Sequence, residues 1–563
     1  MGSSYLACDR ESIRPPRTPI ALAACLAVQI GPVAAAQKAA GGQPPGACPA
    51  LADLEARGYR IGSVHVQQLP IFDAGPDGEM PAIYRFADKL HVDTRDHVIE
   101  SQLLFKTGEP VSGRLIEETE RNLRELRYIR EPSIRAVACH DRVADIEVTV
   151  QEVWTTNPGI SFQRSGGENT AGIKLQELNL LGLGKELTFE LAQDADRSFY
   201  TVHWRDPGVR DSRWITDVAL RQSSDGEGWS VAAQRPFYAL DSRWSTGFAL
   251  QQEEIVDSVY RLGERVAGYG RQADFAEVSY GRSDGLMNGW SRRTTFGLRR
   301  EHADFGIAPD EPAPDVLPDD RRLDYPFLRF EAVQDDFETT RNRDQIARTE
   351  DQRFGLHYAL EVGWSTPVLG ADRDSLLLHA DASRGWRLGG GDTMFADAAL
   401  TTRVEGGAPV DGLLSGSLRY YRPTGSGGVF FAGFTAGVGH DLDADHELTL
   451  GGDTGLRGYP LRYQAGSATA LLSLEQRFFS KHSLWQLADV GAAVFFDAGR
   501  VWGESPMGAS ENLGLLKDVG FGLRLASNRS ALGNVVHVDV AFPLDGSRSI
   551  DDVQFLVQTK RSF

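Results

Sequence analysis

The chain has 563 residues, with 59 Lys and Arg against 78 Asp and Glu and a formal net charge of −19. That balance leaves no basic footprint for nucleic acid. Mean hydropathy is −0.30, and no run approaches the roughly 18 apolar residues of a membrane helix. A glycine-rich chain of this kind fits a membrane β-barrel, where only alternate strand residues face lipid. At the N-terminus, Arg10, Arg14 and Arg17 precede an apolar run from Ile20 to Ile30 and the small residues Val33-Ala34-Ala35-Ala36. This pattern predicts a signal peptide over residues 1–36. Export would remove Cys8 and Cys25 and carry Cys48 and Cys139 into an oxidising compartment. A Cys48–Cys139 disulfide is the expectation, with two free thiols as the alternative. Residues 37–57 read as an Ala/Gly/Pro/Gln-rich linker ending in a short helical stub, Leu51 to Ala56.

A small α/β unit is expected over residues 58–154. IGSVHVQQLPIF, from Ile61 to Phe72, has strand character. TRDHVIESQLLF, from Thr94 to Phe105, places Val98, Ile99, Leu103 and Leu104 at helical spacing. After the turn TGEPVS, Ser112 can cap a second helix with Leu115, Thr119, Leu123 and Leu126 on one face. The charge run ETERNLRELR on that helix reads as a solvated face. Two strands follow, Ser133 to Cys139 and Val143 to Val153, the second alternating Ala144, Ile146, Val148 and Val150 with Asp145, Glu147 and Thr149. The order strand–helix–helix–strand–strand resembles a POTRA domain, and FKTGEPVS followed by LIEETERNLREL is similar to its two-helix part. The resemblance implies a unit that receives client chains by strand addition at a sheet edge.

From 157 to 563 the pattern becomes repeated short strands separated by turn signals. Leu187, Phe189 and Leu191 alternate with Thr188, Glu190 and Ala192; Tyr358, Leu360, Val362 and Trp364 alternate with His357, Ala359, Glu361 and Gly363. The last strand puts Val553, Phe555, Val557 and the terminal Phe563 on one face. One face suits lipid and the other a wet lumen, so the fold class expected is a membrane all-β antiparallel transmembrane barrel behind one N-terminal α/β domain.

The stretch LTLGGDTGLRGYP, from Leu448 to Pro460, is glycine-rich and carries Arg457-Gly458-Tyr459. Two strands after it each hold one acid on the polar face: Glu475 in ATALLSLEQRFF and Asp497 in VGAAVFFDAGRVWG. A guanidinium stays charged in a confined space and binds carboxylates bidentately, so a loop folded back into the barrel and tied by Arg457 to Glu475 and Asp497 is expected. This combination resembles the outer-membrane assembly and translocation superfamily that includes BamA, TamA and the two-partner-secretion transporters. The resemblance implies a lumen loop over 446–467, a C-terminal barrel signal at Phe563, and sixteen strands. Five strands follow the loop, but up to fifteen candidates precede it. Sixteen is favoured, and twenty is the alternative.

No nucleophile elbow of the G-x-S-x-G type is read, which disfavours a fused lipase. Gly425-Ser426-Gly427-Gly428 lacks the lysine of a phosphate loop and reads as a turn. His440-Asp441-Leu442-Asp443-Ala444-Asp445-His446 is the sharpest metal-like stretch and reads as an acidic turn, because the glycine and distal glutamate of an EF-hand loop are missing. The expectation is therefore no enzyme, no cofactor and no metal. By resemblance, the chain is an outer-membrane protein-insertion or translocation pore whose periplasmic POTRA domain receives an unfolded outer-membrane or secreted client. A further periplasmic or inner-membrane partner through that domain, contact with outer-membrane lipid, and no nucleic acid complete the reading. The alternative is a passive porin-like channel or structural barrel.

Overall fold

The computed structural model describes residues 48–71, 91–425, 427–484, 487–508, 511–527, 529–530, 534–547 and 550–560. The signal peptide, most of the linker, Phe72, Ser426 and Phe563 lie outside the described residues.

Three strands form the N-terminal sheet: β1 (Arg60–Leu69), β2 (Ile129–His140) and β3 (Val143–Glu152), in the order β1-β3-β2. β1 runs parallel to β3, and β2 runs antiparallel to it. Every second residue of β3 is buried, and Ala144, Ile146, Val148 and Val150 make the sheet's apolar inner face. The helix Gly113–Glu125 closes that face with Ile116 and Leu123, and the stub Leu51–Ala56 adds Leu54. Cys48 and Cys139 are bridged, with Cα atoms 5.6 Å apart, tying the entering chain to β2.

Three local expectations differ from what is found. The segment 94–105 is helical only over Asp96–Glu100. Ser112 stands at the N-cap without a side-chain cap bond, and Gly113 N donates instead to the distant Glu55 Oε2 at 2.9 Å. The charge run of that helix is not a solvated face. Glu118 is 3% exposed and accepts from Leu240 N of the barrel at 2.8 Å. A polar face can dock as well as dissolve when its partner offers unpaired backbone donors.

The barrel is closed by twenty antiparallel strands in chain order, from Thr156–Ser165 to Gln554–Lys560. The favoured count of sixteen is therefore corrected to the alternative of twenty. The first six strands are only 8 to 10 residues long, so neighbouring segments look like halves of longer strands, yet each pairs with its own two neighbours. Alternation sets the faces throughout. On His357–Ser365 the side chains of Tyr358, Leu360, Val362 and Trp364 are exposed outward, whereas Ala359 and Glu361 are buried inward.

An even count places the start of the first strand and the end of the last at one end of the barrel, the end that carries the N-terminal domain (the near end). The connection 335–356, between the tenth and eleventh strands, also lies there and holds a hairpin, Phe337–Arg341 with Thr349–Arg353. The connection 441–467, between the fifteenth and sixteenth strands, lies at the far end and holds the hairpin Leu448–Leu450 with Gln464–Gly466. Closure is uneven. The first and last strands share a single ladder pair among the described residues, Val557 with Arg164, whereas the tenth and eleventh share seven.

Candidate functional site

The loop 446–467 folds back on itself because its glycines allow backbone to touch backbone. A Cβ on Gly451 would lie 2.4 Å from Pro460 O, and one on Gly452 would lie 2.4 Å from Tyr459 O. Leu450, Leu456, Tyr459 and Tyr463 then pack on Leu471, Val501 and Leu516 of the inner wall, fixing the direction in which Arg457 points.

Arg457 reaches both predicted acids. Its Nε and Nη2 donate to Asp497 Oδ2 and Oδ1 at 2.7 and 2.9 Å, and its Nη1 donates to Glu475 Oε1 at 2.6 Å. The guanidinium also lies 3.5 Å from the centre of the Phe495 ring, and Nη2 donates to Ser473 Oγ at 3.1 Å. Arg457 and Glu475 are 4 and 5% exposed and Asp497 fully buried. Taking such charges from water costs several kcal/mol per ion, which only near-ideal geometry and complete hydrogen bonding offset. The bidentate fork to Asp497 and the ring face supply both.

Gly458 and Tyr459 complete the clasp. Gly458 N donates to Asp518 Oδ2 at 3.0 Å, and a Cβ there would lie 2.6 Å from Asp518 Cβ. Tyr459 is fully buried; its hydroxyl donates to Lys517 O at 2.7 Å and accepts from Lys517 N at 3.0 Å. Mechanically, the loop tip is pinned to three adjacent wall strands: Ala468–Leu484, Ala488–Trp502 and Leu516–Ser527.

Sequence reading missed Ser473, Asp518 and Arg477, whose Nε donates to Glu475 Oε2 at 2.8 Å. The rule that selected Glu475 and Asp497, an acid on the inner face of a strand after the loop, reaches Asp518 when carried one strand further. Ser473 and Arg477 flank Glu475 at a spacing of two, on the same face.

The metal-like stretch is an ion-pair network. Arg403 Nη1 donates to Asp411 Oδ2 at 2.9 Å and to Asp443 Oδ2 at 2.8 Å, and Arg321 holds Asp445 through two bonds of 2.7 Å. Asp411, Asp443 and His446 stand close enough to share a cation, but both carboxylates are already taken by Arg403. The residues present do not fit a metal. His446 Nδ1 lies 2.9 Å from Asp411 Oδ1. Burial opposes charge on that imidazole, but the Asp411 bond and the nearby Asp445 outweigh burial and hold its pKa above the usual histidine value.

Gly281-Arg282-Ser283-Asp284-Gly285 spells the letters G-x-S-x-G, which the sequence reading passed over. It lies within the strand Glu264–Met287, no helix follows it, and Ser283 Oγ accepts from Gly285 N at 2.9 Å. That is not the strand-to-helix elbow the motif requires.

No family model matches this sequence, and no curated protein matches it. Among solved structures, the chain is similar to BamA from Haemophilus ducreyi lacking POTRA domains 1–3, at 14% identity and a TM-score of 0.39 over 89% of this chain and 85% of that one. It is similar to CdiB from Acinetobacter baumannii at 12% identity and a TM-score of 0.43 over 90% and 74% of the two chains. It is similar to CdiB from Escherichia coli at 14% identity and a TM-score of 0.46 over 90% and 77%. At TM-scores below 0.5 these likenesses carry no argument, and the functional reading rests on the chain's own geometry.

Proposed function

We propose that this chain is an outer-membrane pore that inserts or translocates protein clients, with residues 58–154 as a single periplasmic POTRA domain that receives the client and residues 157–563 as the transmembrane barrel. The outward side chains, such as Leu175, Phe189, Leu298, Leu360 and Phe521, supply an apolar face for lipid. The loop 446–467, held by Arg457 to Glu475 and Asp497, braces the wall from inside. The reading involves no cofactor and no bond change.

The observation that carries it is the closing seam. Backbone groups facing lipid must all be bonded, yet the strands Thr156–Ser165 and Gln554–Lys560 share one ladder pair among the described residues. A seam of that kind can release an edge to pair with a client strand, which a passive channel has no need of. The lumen loop stands beside it: Ser165 Oγ donates to Gly452 O at 2.8 Å and accepts from Gln558 Nε2 at 2.8 Å.

Depletion of the protein followed by comparison of the outer-membrane and secreted proteomes tests the proposal. Loss of specific proteins is the expected result. A change confined to small-solute uptake would overturn it in favour of a passive channel.

A further inference from the structure

We propose that the hairpin at residues 337–353 plugs the near mouth of the barrel and mechanically links the N-terminal domain to the lumen loop. The inference does not depend on the identity of any client. It rests on what the hairpin touches at its tip and along its shank.

The tip lies inside the barrel. Ile346 is 3% exposed and packs on Ala493, Ala526 and Val535, inward residues of the seventeenth, eighteenth and nineteenth strands. The hairpin leaves the wall between the tenth and eleventh strands, so its tip reaches well around the ring. A barrel of this strand number encloses more space than its own side chains fill, and an inserted segment is the usual way such a lumen is closed. The tip is a preformed knob, because Glu350 accepts from Arg343 N and Asp344 N, both at 2.9 Å. Tyr421 Oη donates to Asp344 Oδ1 at 2.7 Å and fastens the knob to the fourteenth strand.

From the tip, a line of charge-assisted bonds runs to the lumen loop. Arg477 Nη1 donates to Arg343 O at 2.7 Å, Arg477 Nε donates to Glu475 Oε2 at 2.8 Å, and Glu475 Oε1 accepts from Arg457 Nη1 at 2.6 Å. Glu475 is therefore shared: one oxygen faces the loop that enters from the far end, the other faces the arginine that holds the hairpin.

The shank meets the N-terminal domain. Arg124 of the helix Gly113–Glu125 donates through Nε and Nη2 to Asp351 Oδ2 and Oδ1 at 2.7 and 2.8 Å. Thr349 Oγ1 donates to Glu131 Oε2 at 2.7 Å, and the Arg121 guanidinium lies 3.9 Å from the centre of the Phe337 ring. Away from the closing seam the barrel strands are bound by continuous ladders, whereas Ile346, separate bonds at the tip and part-buried contacts along the shank seat the hairpin. The same helix also holds the barrel connection at Leu240 through Glu118, so a displacement of the domain is passed to the hairpin and to that connection together, while the laddered strands stay in place.

Single-channel recording of the full-length protein in planar lipid bilayers tests this, with heat-modifiable migration as the check on folding and protease cleavage within 446–467 as a second readout. Ile346→Asp should raise conductance several-fold and speed cleavage of the loop. Asp351→Arg should raise the open fraction several-fold, and adding Arg124→Glu should return it towards the wild-type value, because the swapped pair restores the contact. Wild-type conductance and cleavage in Ile346→Asp would overturn the plug. A double variant as open as Asp351→Arg alone would overturn the link to the domain.

Discussion

The loop 446–467 and the hairpin 337–353 approach the same stretch of inner wall from opposite ends, and different chemistry holds each. The loop is anchored by a nearly dry guanidinium with two carboxylates, a ring face and a buried tyrosine. The hairpin is anchored by one isoleucine, a tyrosine bond to Asp344, a backbone carbonyl and part-buried pairs along the shank, such as Arg124 with Asp351, whose side chains are 13 and 18% exposed. A buried charge cluster is all-or-none, since removing one member strands the others in a dry site. The contacts of Ile346, Asp344 and Asp351 share no partner with one another and can be broken one at a time. One buried charge cluster thus fixes the far-end insertion, whereas the near-end insertion is held by several separable contacts.

The largest effect should come from Arg457→Ala, which takes the guanidinium from the fully buried Asp497 and leaves Glu475 with Arg477 alone, at a cost of about 3–5 kcal/mol. The expected result is a loop that is cleaved readily in a barrel that still migrates as folded, with function lost before folded protein is. Unchanged protease sensitivity and full activity would break the comparison at its stronger side. Arg457→Lys keeps the charge but not the fork, so it should recover only part of the loss.

Ile346→Ala comes next, removing the apolar anchor of the hairpin at about 2–3 kcal/mol, the low end for a buried isoleucine because the tip can shift to fill the gap. Cysteine accessibility at the tip should rise clearly, with a smaller rise in cleavage of the loop passed on through Arg477 and Glu475. If the loop loosens equally, the two insertions form one unit rather than a fixed and a mobile one. Gly458→Ala should cost about 1–3 kcal/mol through overpacking on Asp518, read as faster cleavage of the loop with the hairpin unaffected.

The smallest expected effect is one of pH at the root of the loop. The pKa of His446 is raised above the ordinary 6.5, and Asp411, Asp445 and Arg321 surround it. Its charged form is thus favoured in the folded state, so this contribution is full below about 6.5 and fades as pH rises through the folded-state pKa. Cleavage near residues 441–447 should quicken on the alkaline side, and His446→Gln should remove that dependence. A pH profile unchanged by His446→Gln would exclude this role.

Much of the clasp was legible before any coordinates. Arg457, Glu475 and Asp497 follow from one glycine-rich turn and two alternating strands, all within about 50 residues. The near-end hairpin was not legible. Its sequence, DDFETTRNRDQIARTEDQ, reads as a polar loop, because Phe337 and Ile346 stand far apart among charged residues and the partners of Ile346 lie roughly 150 or more positions downstream. Arg124 and Asp351 are 227 residues apart, and nothing local distinguishes them from solvated charges.

The chain's own period of two settled which side chains face outward and which inward, because Cβ direction alternates along any strand whatever it pairs with. Strand number, which strands close the ring and the meeting of the two insertions at Glu475 were decided only in three dimensions. Closure depends on which strands find each other, and that is a property of the whole ring rather than of any segment within it.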